Sequence, residues 1–158
     1  MNSSNQIKEE VMTFLRKSNI AVVATVWNGE PYASAVHYTI GDDWSIYFLA
    51  HRNTNKYINI SSHQKAVVVV GTGPKHISVQ AKGVVDLVVG DEKEKILEKF
   101  AWLKGSGLIS HWPVEEMAKF QNKEPVIFKF EPLELTFMNL DDDQYPNSKG
   151  TDYHQIIS

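Results

Sequence analysis

Arg52, Thr54 and Lys56 fall within one stretch, His51-Arg52-Asn53-Thr54-Asn55-Lys56, at the point where a run of apolar residues breaks off and a short helix is predicted. A guanidinium supplies a planar fork of donors, an ammonium a point charge and a hydroxyl a neutral donor. Backbone N–H groups at a helix start add a fourth kind of donor, and together these are the parts of a phosphate site. Arg is scarce in this chain, occurring only as Arg16 and Arg52. The same residues would equally serve as a solvated basic turn, and their spacing alone leaves both readings open.

Other chemistries find less support. The chain has no Cys, which removes disulfides, thiolate nucleophiles, iron–sulfur clusters and thiolate zinc sites. Its six His are scattered, without the i, i+4 pairing or His-x-His spacing that would converge on a metal. No Gly-x-Ser-x-Gly elbow is present, and Gly105-Ser106-Gly107 reads as a helix stop. Gly71-x-Gly73 lies between two predicted strands and lacks the frame of a nucleotide loop. Asp141-Asp142-Asp143 lacks the Gly and distal Glu of a calcium loop and reads as a solvated charge run. Among the four Trp, Trp112 between two predicted helices is the best placed to wall a pocket for a planar ligand.

These residues must be positioned by elements that the patterning outlines. Ser3 with Gln6, then Ile7, Val11, Phe14 and Leu15, predict a capped amphipathic helix ending near Ser18-Asn19. Residues 20–27 alternate at period two into Asn28-Gly29, a strong hairpin signal, and residues 32–40 and 44–50 continue an antiparallel meander. A short helix is expected over 57–61 and a strand over 66–72. The alternation from Ile77 to Val89 is the longest in the chain, with Gly83 on its apolar phase marking a bulge or corner. Asp91 and Glu94 predict another capping box, for a helix running to Gly105, and Pro113 opens a helix over 114–120. Two last strands, 126–130 and 133–138, are expected to meet at Glu131-Pro132, and residues 141–158 read as a polar, loosely ordered or partner-draped tail.

The 158 residues suit one domain, here residues 1–140 with the tail beyond. Six or seven hairpin-linked strands with flanking helices predict a small antiparallel barrel of the α+β class. Several strands are apolar on both phases, so a second face must lie under helices or against another copy, and a homodimer is expected. Sixteen Lys and Arg against nineteen Asp and Glu give a net charge of −3, which offers no field for nucleic acid or an anionic membrane. The apolar runs are too short to span a bilayer and the polar start carries no signal-peptide pattern, so a soluble, cytoplasmic protein is expected.

The segments PYASAVHYTIGDDWSIYFLAHRNTNKYINI, ISVQAKGVVDLV and PVIFKFEPLELTFMN, in that order and spacing, resemble the pyridoxamine 5'-phosphate oxidase-like family of FMN-binding split barrels over residues 5–140. The resemblance implies a homodimer with FMN at its interface and a small-molecule substrate. It places Arg52, Thr54, Asn55 and Lys56 at the flavin phosphate and Val36, His37 and Tyr38 along the ring, partly through backbone groups. It puts Gln80 within reach of flavin or phosphate and Trp112 over the pocket from the partner chain. The family's pyridoxal phosphate-forming members end in an Arg-x-His element, whereas this chain ends TDYHQIIS. A flavin-dependent oxidoreductase acting on another small molecule is therefore expected, with a non-catalytic flavin or haem carrier as the alternative. No side chain is singled out as catalytic.

Overall fold

The computed structural model describes residues 3–71, 73–100, 125–140 and 142–158. The Trp112 wall, the Gly105 stop and the helix expected over 114–120 lie outside them. The order of elements is α1 (Ser3–Lys17), β1 (Ile20–Trp27), β2 (Glu30–Ile40), β3 (Ile46–Ala50), α2 (Asn55–Ser62), β4 (Lys65–Val70), β5 (Ile77–Leu87), α3 (Asp91–Lys99), β6 (Val126–Asn139) and β7 (Thr151–Ile157). The strands lie in the order β3-β2-β1-β4-β5-β6-β7, and β3 pairs again with β6. Six antiparallel strands thus close a barrel, with β7 added outside the ring. This is the α+β split barrel that the patterning and the resemblance predict.

Local chemistry explains the joints. Asn28 and Gly29 both take positive φ, 47° and 80°, giving the tight turn whose twist suits a β1–β2 hairpin. Trp44 also has positive φ, 69°, so β3 begins at Ile46 rather than at Trp44 as predicted. Thr54 caps α2, which therefore starts at Asn55 and not at Tyr57. The expected Asp91 capping box does not form. Gly90, at φ 66°, occupies the cap position without a side-chain bond, and Asp91, Glu92 and Glu94 fill the first turn, where the helix dipole favours them.

Two further expectations are corrected. Residues 126–138 form one continuous strand, because a bulge absorbs Pro132. Lys82 pairs with Glu134 and Gly83 with Pro132, leaving Leu133 unpaired and exposed. Only Gly fits there, since a Cβ on residue 83 would collide with the Glu131 carbonyl. The segment after 140 is not a loose tail. It turns back to lay β7 on β6, around a fully buried Asn139 whose Nδ2 donates to Asp142 O, Tyr145 O and Ser148 Oγ. Glu10 of α1 in turn accepts from Asn147 and Ser148. Asp142, predicted as part of a solvated run, is buried and bonded to the Gln144 amide and Lys75, which hold its carboxyl below the usual range.

The core fills the barrel with Phe48, Phe128, Phe130, Phe137, Ile46 and Leu135. At one end α1 inserts Val11, Phe14 and Leu15, and the Tyr38 hydroxyl donates to Leu15 O at 2.6 Å. The other end is closed by α2, whose Ile60 and Asn59 are buried and whose Asn59 Nδ2 donates to Thr25 Oγ1 at 3.0 Å. Outside the ring, Ile96 of α3 and the adjoining Phe100 pack with Tyr47, Val88 and Ile127 as a small second core.

Candidate functional site

β3 is short, and that shapes the site. It pairs with β2 only over Tyr38–Ile40, whereas β1 pairs with β2 from Glu30 to His37. Tyr38 N donates to Asn19 O, so the ladder turns the backbone groups of Tyr38, Val36 and Ser34 towards β1. Those of Ala33 and Ala35 point the opposite way, to an edge that no strand covers among the described residues. Just past the end of β3 the chain enters His51–Lys56 and α2.

The first turn of α2 is a donor surface. Thr54 Oγ1 accepts from Tyr57 N at 3.3 Å and donates to His51 O at 2.8 Å, while Ile58 N donates to Thr54 O. The amides of Asn55 and Lys56 remain without partners among the described residues, as first-turn amides do. The Lys56 ammonium is half-buried, and desolvation lowers its pKa because no carboxylate among the described residues stands beside it. Arg52 is exposed; its Nη1 donates to Tyr57 Oη at 2.9 Å and its guanidinium carbon lies 5.6 Å from the centre of the Tyr57 ring. Two cationic residues and two free amides thus fall within the five residues 52–56, with no ion pair to either cation among the described residues. Phosphate or carboxylate is the natural complement.

Other predicted residues divide by face. Val36 and Tyr38 point into the barrel and are 7% and 2% exposed, so their side chains belong to the core and only their strand's edge is available to a ligand. Burial pushes the Tyr38 phenol pKa well up, so it stays protonated. His37 lies on the outer face opposite Ile20, half-buried. Gln80 is exposed on that face, in a cross-strand row with Val69, Val22 and Ala35. Three strand spacings, about 14 Å, separate Gln80 from β2, so one chain does not bring it to the Arg52–Lys56 turn. Thr54 donates its hydroxyl to the His51 carbonyl oxygen and acts as a helix cap.

Two features escaped the sequence. Tyr57 was visible only as a helix residue, and the signal that it meets Arg52 was its position on the first turn after a lone Arg. The open edge of β2 was foreshadowed only by the small residues Ala33 and Ala35. A separate cleft of about 310 Å³, lined by Arg16, Lys17, Ser18, Asn19 and Thr39 among others, opens at the α1 end of the barrel and does not join this turn. Among the described residues no group of three or more His, Asp or Glu could hold a metal ion, and no helix is long and apolar enough to cross a membrane.

Fold and site together define a split-barrel protein with a cationic turn after its third strand. The model of the pyridoxamine 5'-phosphate oxidase family matches residues 7–139, and the chain belongs to that family. Among curated protein sequences there is no match. An FAD-binding protein from Mesorhizobium loti is 19% identical with a TM-score of 0.61, covering 82% of this chain and 92% of its own. General stress protein 26 from Bacillus anthracis is 15% identical with a TM-score of 0.59, over 83% and 92%. A haem-binding protein from Mycobacterium smegmatis is 13% identical with a TM-score of 0.65, covering 98% of this chain but 57% of its own. At these identities the likeness is one of fold.

Proposed function

We propose that this protein binds FMN at the interface of a homodimer and acts as a flavin-dependent oxidoreductase on a small molecule. The observation that carries the reading is the Arg52–Lys56 turn, where unpaired amides and a desolvated ammonium await an anion beside the open edge of β2. Family membership and the FAD-binding neighbour support a flavin as the group attached to that anion.

Lys56 and the Asn55 and Lys56 amides would hold the phosphate, with Arg52 beside them. The backbone edge at Ala33 and Ala35, with the half-buried His37 next to it, would line the ring. The bound flavin would supply hydride and electron transfer; the chain would orient it and exclude water from one face. The apolar outer face of β1 and β4 would receive a second copy, whose Gln80 and Trp112 could then complete the pocket. The reading is of a soluble, cytoplasmic protein with no nucleic-acid or membrane partner.

A visible spectrum of the freshly purified protein, with mass spectrometry of what heat releases, tests this directly. Flavin bands and released FMN are expected, followed by bleaching with NADH or NADPH and recovery in air. A Soret band instead would favour the haem-carrier reading, which the M. smegmatis neighbour supports. Bound FMN that is neither reduced nor reoxidised would make this a flavin carrier. A colourless protein that also refuses added FMN would remove the flavin reading.

A further inference from the structure

We infer that Tyr57 is a positioning residue that fixes the Arg52 guanidinium for recognition of a terminal phosphate, so that this site discriminates a phosphorylated ligand from its dephosphorylated form. The inference rests on the anion-binding reading of the Arg52–Lys56 turn. Arg52 is exposed and makes no ion pair among the described residues, so no carboxylate there holds it. An unrestrained Arg loses much rotamer freedom when it grips a ligand, and that loss subtracts from affinity. Here Tyr57 removes much of that freedom beforehand, by accepting the Nη1 bond at 2.9 Å and by presenting its ring 5.6 Å from the guanidinium carbon.

Tyr57 is itself anchored. Its ring lies 5.9 Å from Phe128, which lies 5.5 Å from Phe48 in the barrel core, and its amide is bonded to the Thr54 cap. The guanidinium is therefore tied to the core through three aromatic rings rather than to a mobile surface partner. With Nη1 engaged, the Nε and Nη2 donors remain for an anion, the fork geometry that suits a phosphate. Lys56 supplies charge from the helix side and Arg52 supplies direction.

The test uses FMN and riboflavin, which share a ring and differ by the phosphate, against the wild-type chain and the variants Tyr57→Phe, Arg52→Ala and their combination. Tyr57→Phe keeps the ring that packs on Phe128, so the fold should hold. It is expected to weaken FMN binding about three- to tenfold, the worth of one hydrogen bond, to leave riboflavin unchanged and to have no further effect once Arg52 is Ala. Equal weakening of both flavins, or an undiminished effect in the Arg52→Ala background, would show a merely structural role and overturn the inference. Inorganic phosphate titrated against the Arg52 side-chain resonance by ¹H–¹⁵N NMR gives a readout that needs no flavin. A shift in the wild type that Tyr57→Phe reduces supports the inference even if neither flavin binds, a result that would sink the flavin reading alone. No shift in the wild type overturns the inference itself.

Discussion

Lys56 carries a desolvation cost that a bound anion would offset. Burial without a carboxylate disfavours its charged form and lowers its pKa. The folded chain therefore binds fewer protons than the unfolded one between that lowered value and the ordinary lysine value. Stability of the free protein should rise as pH climbs through that window. A bound phosphate reverses the balance, since it favours the ammonium. Lys56→Met should thus lower FMN affinity by about ten- to a hundredfold, as expected for a charged hydrogen bond, while the melting temperature of the free protein stays level or rises. Fluorescence titration should also show wild-type affinity falling as pH rises through the lowered Lys56 pKa, a limb absent from Lys56→Met. Unchanged FMN affinity in the variant would remove Lys56 from the site. The Arg52–Lys56 cluster was legible in sequence because its members are nearly consecutive. The Arg52–Tyr57 bond was not, because Phe128, far along the chain, helps set where that ring sits.

Among the elements, the strands were legible wherever alternation ran unbroken, as in β1 and β5, and were misjudged where a single residue carries the geometry. Pro132 reads as a strand end because it lacks an amide donor. The bulge at Leu133 lets β6 continue past it, and Gly83 opposite provides the room. Gly83→Ala should therefore shift the urea midpoint to a loss of about 1–3 kcal/mol, the usual range for overpacking. A neutral substitution would mean that β6 can part from β5 there at little cost. The last strand was missed for a related reason. Residues 142–150 look polar and turn-rich because their partners, Asn139 and Glu10, are supplied by β6 and α1. A polar segment reads as loose until the groups that satisfy it are known.

For the whole molecule, the barrel class followed from hairpin spacing, but the pair of strands that closes it did not, because β3 meets β6 only in three dimensions. The unburied outer face is also a property of the whole. Ile20 and Val67 are 47% and 36% exposed, on the face they share with Val22, Ala24 and Val69. If a second copy covers it, Val67→Glu should yield a monomer in sedimentation experiments, keep its β circular dichroism and lose FMN affinity. A variant that stays dimeric would place the interface elsewhere. The β3–β6 seam has a consequence for the chain as it is made. Phe130 follows its partner Ile46 by 84 residues, so at about 5–20 residues per second a ribosome leaves the first three strands without their closing neighbour for roughly 4–17 s. Throughout that interval the meander holds Phe48 and Ile46 on an unsealed sheet, and those seconds are when a holding chaperone would matter most to the yield of folded protein.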